Sequence, residues 1–257
     1  MGASSLLSLQ QNRRLIIAVA AVAGSFPLLK YAFCSYRTFV DLGPAGIPTN
    51  LGGWLLQALA QPLSRRDTRG PAPYAASDVV DVYGHEGYQT YLASPLPPRR
   101  GPRPDVPAYV APQRQVDQLG GDAILSEQMA FLAALASANP DLFQSKPSQL
   151  EGPSHKALWL ANRVPVPRVL AATSGEIAHP HGEGSSHMTL SLEDAAAAID
   201  AGWAERHKLS GVFGFLPWTY VMVYAPRNTK ELAVWESLVL ASARFATAWQ
   251  SRPVIGL

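Results

Sequence analysis

Three of the six histidines fall within nine residues, in the run Glu176-Ile177-Ala178-His179-Pro180-His181-Gly182-Glu183-Gly184-Ser185-Ser186-His187. In extended backbone His179 and His181 point to one side, and a turn through Gly182 and Gly184 can bring His187 back to them. Imidazoles grouped in this way suit two chemistries. As neutral ligands they suit zinc or iron, with Glu176 or Glu183 able to add an oxygen, so His179, His181 and His187 are the candidates for a divalent metal. As acid–base groups with a pKa near ~6.5 they can take and return a proton at neutral pH. A solvated loop is the ordinary reading of a lone histidine, but three together beside an apolar strand weigh toward function. His207, in Trp203-Ala204-Glu205-Arg206-His207, reads as the end of a helix that could fold back to the same cleft. His85 and His155 stand alone.

Other signatures are absent from the sequence. There is no glycine-rich loop ending in Lys-Ser or Lys-Thr, no G-x-S-x-G elbow and no H-E-x-x-H helix, since Gln89 stands where a second histidine would follow His85-Glu86. The single cysteine, Cys34, rules out an internal disulfide and a cysteine zinc site. A net charge of +2 from scattered Lys and Arg lacks the basic patch of a nucleic-acid binder, so no nucleic acid is expected as partner.

The elements that must position these residues can be read from periodicity. Lys156–Ala161 is a short apolar run of strand type, and Met188, Leu190 and Leu192 alternate as one face of a strand leaving the histidines. Ser191 and Asp194 form a capping pattern that opens a helix closed by Gly202. Trp218–Tyr224 is rich in aromatic and β-branched residues and reads as a buried strand, after which Asn228 and Glu231 cap a long helix with Leu232, Trp235, Leu238, Val239 and Phe245 on its apolar face. Upstream, Leu125–Ala138 has helical spacing and stops at Asn139-Pro140. If the strands around Met188 and Tyr224 are antiparallel neighbours, the histidines and Arg227 meet at one sheet edge.

The N-terminal half reads differently. Leu15–Leu29 carries no charge between Arg14 and Lys30, and with Tyr31 to Phe33 it is expected to form an uncleaved membrane anchor, because Pro27, Tyr31 and Phe33 occupy the place of a small-residue cleavage site. The apolar patch Leu51–Leu63 is too short to span and is expected to pack against the domain or lie on a membrane surface. Proline crowds residues 67–113, the signature of an extended arm. The expected fold class is α+β, a small sheet covered by helices, preceded by an N-terminal transmembrane helix and a Pro-rich arm. The expected division is a tail over 1–14, the anchor over 15–33, a juxtamembrane and Pro-rich linker region over 34–114, and a catalytic domain over 115–250.

The sequence resembles the fungal luciferase family. The resemblance runs through Tyr36-Arg37-Thr38-Phe39, Leu42-Gly43-Pro44, His155-Lys156-Ala157, Gly175 to His181, Gly202-Trp203 to His207, and Tyr224-Ala225-Pro226-Arg227-Asn228. It implies a membrane-anchored oxidoreductase of the monooxygenase type, single-pass in the endoplasmic reticulum or another endomembrane. Its members oxygenate a hydroxylated styrylpyrone, 3-hydroxyhispidin, to a peroxide that loses carbon dioxide and emits light, with molecular oxygen as co-substrate and no organic cofactor. On this resemblance His179, His181, His187, Glu176 and Arg227 would carry the chemistry, while Trp203, His207, Tyr224 and Asn228 would bind the small-molecule substrate. Three departures from the luminous pattern, a longer stretch between His181 and His187, Ala204 in place of glycine and Lys208 in place of proline, imply a relative that keeps the site and changes the substrate. A metal-assisted hydrolase or decarboxylase using the same histidines, and a non-catalytic membrane-tethered binding protein, are the competing functions.

Overall fold

The computed structural model describes residues 3–44, 46–70, 82–250 and 253–257; Pro71 and Pro73 of the arm and Met1 and Gly2 of the tail lie outside them. The first helix, α1 (Ala3–Asp41), runs through the whole segment expected to be an anchor, Lys30 included, and continues past it through Arg37. Among the described residues no helix is long and apolar enough to cross a membrane. That overturns the single-pass transmembrane helix over 15–33 and the endomembrane location drawn from it. The physical reason lies in length: the charge-free stretch from Leu15 to Leu29 covers about 22 Å of a ~30 Å hydrocarbon core. Completing the span would draw Lys30 into it.

The C-terminal end of α1 packs against the next stretches of chain. Phe39, Leu42 and Tyr109 form a small buried cluster joined by Tyr36, Ile47 and Trp54. Helix α2 (Leu51–Ala60) starts at Asn50, whose side chain accepts from the Gly53 amide at 3.2 Å. Its Trp54 meets Tyr36 edge to face, while Leu51, Leu55, Leu56 and Leu59 face outward.

Over residues 90–99 the proline-rich arm is tied to the domain. Asp194 accepts from the Thr90 hydroxyl and the Tyr91 amide, Pro97 accepts from the Trp203 indole, and the Arg99 amide donates to Ala201. Proline suits this role because it fixes φ and leaves no amide to satisfy, so an extended segment can lie across a domain with few unpaired donors.

Beyond the arm come helix α3 (Gly121–Ala138) and six antiparallel strands, β1 (Phe143–Ser148), β2 (Gly152–Leu160), β3 (Glu176–Pro180), β4 (Ser186–Thr189), β5 (Ala204–Arg206) and β6 (Tyr220–Val223). Their order across the sheet is β1-β2-β3-β4-β6-β5. Helix α4 (Leu192–Asp200) lies between β4 and β5, and α5 (Thr229–Ala246) closes the sequence of elements. The α+β expectation matches this arrangement, but the order over 186–246 is strand–helix–strand–strand–helix, because the short edge strand β5 precedes β6.

Capping explains the helix starts. Ser191 accepts from the Asp194 amide at 3.0 Å, and Asn228 accepts from the Lys230 and Glu231 amides. The Glu231 carboxylate departs from the reciprocal box and takes the Arg227 amide and guanidinium instead. One expected element is different: His207 does not end a helix. Helix α4 stops at Asp200, Gly202 takes a left-handed φ of +83°, and the chain reverses into edge strand β5 just before His207.

The two sheet faces have different jobs. Ala178, Met188, Val221, Val223 and Ala204 join Trp235, Leu238 and Phe245 of α5 in the main core. The alternate residues, His179, His187, Met222 and Glu205, pair across the strands on the opposite face.

Candidate active site

Register places the histidines. His179 of β3 is directly opposite His187 of β4, so their side chains stand together on one face. His181 lies two residues beyond His179, in a tight turn where its amide donates to the Ser185 carbonyl at 2.7 Å and its own carbonyl accepts from the Gly184 amide at 3.0 Å. Gly184 takes a φ of +96°, and a Cβ there would press against Ala225 and Gly120, so the turn needs glycine. The ring centroids of the three are 5.3, 5.4 and 4.6 Å apart, and none of the three is more than 7% exposed. A ring nitrogen from each lies within 4.8 Å of the others, close enough for the three to hold one metal ion. His207 joins them from the end of β5, its ring 5.1 Å from that of His187, and Tyr220 of β6 stacks on His187 at 5.0 Å.

Each imidazole is oriented by a neighbour. His179 Nδ1 is 2.6 Å from Glu176 Oε1, His181 Nδ1 is 2.8 Å from Ser185 Oγ, and His187 Nε2 is 3.4 Å from Gln113 Oε1. Between the rings, His181 Nε2 and His187 Nδ1 are 2.9 Å apart. His207 Nδ1 accepts from the Leu209 amide at 3.1 Å, which fixes its proton on Nε2. Arg114 reaches across from the end of the arm to pair with Glu151, whose other oxygen is 4.0 Å from His181 Nε2.

Burial sets the charge state of this cluster. Desolvation lowers His181 to about 4, only partly opposed by Glu183, and lowers His207 to about 3, with His181 and His179 adding to the effect. Desolvation and the neighbouring histidines hold His187 well below its ordinary value. These three imidazoles are therefore neutral at neutral pH, each with a lone pair. Burial pushes Glu151 up to about 8 even against the Arg114 guanidinium. For Glu183 burial acts in the same direction, but His181 and Ser185 outweigh it and hold the carboxyl below its ordinary value. Tyr220 is raised by burial and by Glu176 and Glu151, so its phenol stays protonated.

The four histidines open on a cavity of about 260 Å³. Its polar wall adds Gln113, Arg114, Glu151 and Tyr220 to them, and its apolar wall is Ile47, Leu150, Leu209, Phe215 and Leu216. A cavity of that size suits a small molecule better than a polymer.

Of the other expected site residues, Glu176 supports His179 without lining the cavity, while Trp203, Tyr224, Arg227 and Asn228 make their contacts elsewhere and do not line it either. Tyr224 donates to Glu205 at 3.0 Å, Arg227 binds Glu231, Gln118 and the Arg100 carbonyl, Asn228 caps α5, and Trp203 donates to Pro97. Strands β4 and β6 are indeed antiparallel neighbours, with Ser186 opposite Val223. The chain beyond Tyr224, however, turns toward the arm, where Gln115 accepts from the Ala225 amide. Sequence reasoning did not find Gln113, Arg114, Glu151 or Tyr220. The first three come from the arm and the β1–β2 connection, far from the histidine motif, and only the aromatic run of β6 signalled Tyr220.

Comparison with known proteins adds an independent line. A Luciferase domain profile matches residues 174–242, which contain all four cavity histidines. The chain is 30% identical over 252 residues to the luciferase of Armillaria ostoyae, and equally to that of Armillaria mellea, covering 92% of this chain and 90% of each relative. It is 28% identical over 243 residues to the luciferase of Neonothopanus nambi, covering 89% of this chain and 85% of that protein. No solved structure matches.

Proposed function

The chain belongs to the fungal luciferase family, and from that premise we propose that it is an oxygenase of a small enolisable aromatic or pyrone-type metabolite, with the histidine cavity as its reaction centre. One observation carries the reading: neutral, buried imidazoles line a cavity whose remaining walls are largely apolar. Such a site offers lone pairs for a proton and a mainly apolar space for a small substrate and oxygen.

In the proposed reaction the substrate's enolic hydroxyl faces the histidines and loses its proton there. The enolate carbon then supplies the electrons for a new carbon–oxygen bond with molecular oxygen, giving a peroxide. A substrate that provides its own electrons needs no flavin or haem. His207 Nε2–H is the available donor to the enolate oxygen, because its Nδ1 is occupied by the Leu209 amide. Glu176 holds His179 in place, and the nearby Arg114 and Glu151 set the field around the developing charge.

Oxygen uptake by the full-length protein offered hydroxylated pyrones, 3-hydroxyhispidin among them, together with simple esters and carboxylic acids, tests this. Uptake with an enolisable pyrone and none with the others is expected. Ester cleavage or decarboxylation without oxygen uptake would overturn the reading.

A further inference from the structure

The hydrogen-bond network around the three histidines decides where their protons are. The Gln113 amide nitrogen donates to Glu205 Oε1 and to the Arg206 carbonyl, both at 3.0 Å, so its oxygen must be the atom facing His187 Nε2. An oxygen there accepts, so His187 carries its proton on Nε2 and its lone pair on Nδ1. The same logic runs through serine at the second ring. Ser185 has one hydroxyl proton and gives it to Glu183, so Ser185 Oγ accepts from His181 Nδ1–H and leaves a lone pair on His181 Nε2. At the third ring, Ser148 Oγ accepts from the Leu150 and Glu151 amides and donates to Glu176, which also accepts from the Gln149 amide. Glu176 therefore acts as a carboxylate acceptor, His179 donates to it from Nδ1, and its lone pair is on Nε2.

All three lone pairs belong to the side of each ring away from its partner. Two of them, on His181 Nε2 and His187 Nδ1, face each other at 2.9 Å with neither ring owning a proton to place between them. Lone pairs at that separation repel unless a cation lies between them. A proton would create an imidazolium in a pair of rings no more than 7% exposed. A metal ion satisfies both, and the third histidine with them.

We propose that His179 Nε2, His181 Nε2 and His187 Nδ1 form a divalent transition-metal site with a coordination position open to the cavity. Ring nitrogens of the three lie within 4.8 Å of one another, 2.9 Å for the His181–His187 pair, and metal–nitrogen bonds of ~2.0–2.1 Å would bring them to roughly 3–3.5 Å. Every proposed ligand has its other nitrogen held by an oxygen, the arrangement that fixes tautomer and ring direction in metal sites. An all-imidazole set with no thiolate fits zinc, cobalt, iron, nickel or copper and not calcium or magnesium. Binding itself does not depend on the oxygenase reading; if both hold, the ion would acidify the enolic hydroxyl and the proton would leave to solvent, since the three lone pairs that would otherwise take it are committed to the ion.

The full-length protein, stripped with a chelator, is titrated with Co²⁺ and then with Zn²⁺ in competition, following visible absorption and thermal melting. One Co²⁺ per chain is expected, with visible bands, a raised melting temperature and displacement by Zn²⁺. His187→Ala should abolish the bands, and Glu176→Gln should weaken binding by ~10–100-fold. Absence of bands and an unmoved melt in the wild type at millimolar Co²⁺ and Zn²⁺ would overturn the site, whatever the folding of the variants. Oxygen uptake measured on the same samples separates the two ideas. Stoichiometric binding without pyrone oxygenation upholds the metal and removes the proposed reaction, whereas full uptake by protein that binds no metal does the reverse.

Discussion

Replacing His207 with asparagine should make the protein less sensitive to acid. In the native protein His207 is buried and titrates at about 3, against an ordinary 6.5. At pH 5 the unfolded chain therefore carries a proton on this ring that the folded chain does not. Because the unfolded state binds more protons, stability falls as pH falls, beginning near 6.5 and continuing toward 3. Between pH 7 and pH 5 the loss from this one group is roughly 2 kcal/mol, a sizeable part of a typical ~5–15 kcal/mol. Glu151 contributes with the opposite sign: with its pKa raised to about 8, it adds stability that grows as pH falls from 8 toward 4.5. His181 adds to the acid sensitivity. Both terms are common to the two proteins and largely cancel in their difference. Asparagine is the chosen replacement because its Oδ1 can take over the hydrogen bond from the Leu209 amide. Urea melts of both proteins at pH 7 and pH 5, in chelator, read the effect directly. The variant should lose about 2 kcal/mol less than the wild type over that interval. Equal losses would mean that His207 is not buried in its neutral form and that the cluster is not one of neutral imidazoles.

Gly211→Ala should destabilise the loop that carries Leu209, Phe215 and Leu216, because a Cβ would lie 2.4 Å from the Trp218 ring at a φ of +66°; a cost of at least ~1–2 kcal/mol is expected from the backbone alone, read by thermal melting. Ser191→Ala removes the oxygen that accepts from the Asp194 amide and should cost about 1 kcal/mol in urea melts. Trp235→Phe loses the indole bond to Ser186, next to His187, and should cost ~1–3 kcal/mol, while an unchanged melt would mean that the bond is not formed in solution. Phe213→Ser, at an 80% exposed position outside the cavity lining, should change stability by less than ~0.5 kcal/mol.

Local signals were the most legible part of the sequence. The caps at Ser191 and Asn228 and the aromatic run of β6 each state a preference that tertiary packing agrees with, so both helices and the two central strands beside them could be read directly. The alternation from Met188 to Leu192 overran its strand, which ends at Thr189 before Leu192 opens α4. The meeting of His179, His181 and His187 was also readable, since i, i+2 spacing and a glycine turn are enough to bring strand neighbours face to face. Long-range partners were not. Gln113 and Arg114 sit at the end of a proline-rich arm with no periodicity, and nothing local says that the arm ends over the sheet face that carries the histidines. The strand at Ala204–Arg206 was hidden for a similar reason: three residues paired at a sheet edge leave no pattern long enough to distinguish them from the end of the preceding helix. The anchor failed on length, because an apolar run that stops at Lys30 looks hydrophobic without having enough residues to span.

The central claim is that chemistry occurs at the histidine cavity, and oxygen consumption by His181→Ala beside the wild type tests it most directly, with melts showing that both fold. His181 is fully buried and touches Ser185 and His187 through its two nitrogens. On an enolisable pyrone that the wild type oxygenates, the variant should be slower by at least ~100-fold. Wild-type oxygen consumption by a folded His181→Ala protein would contradict the account.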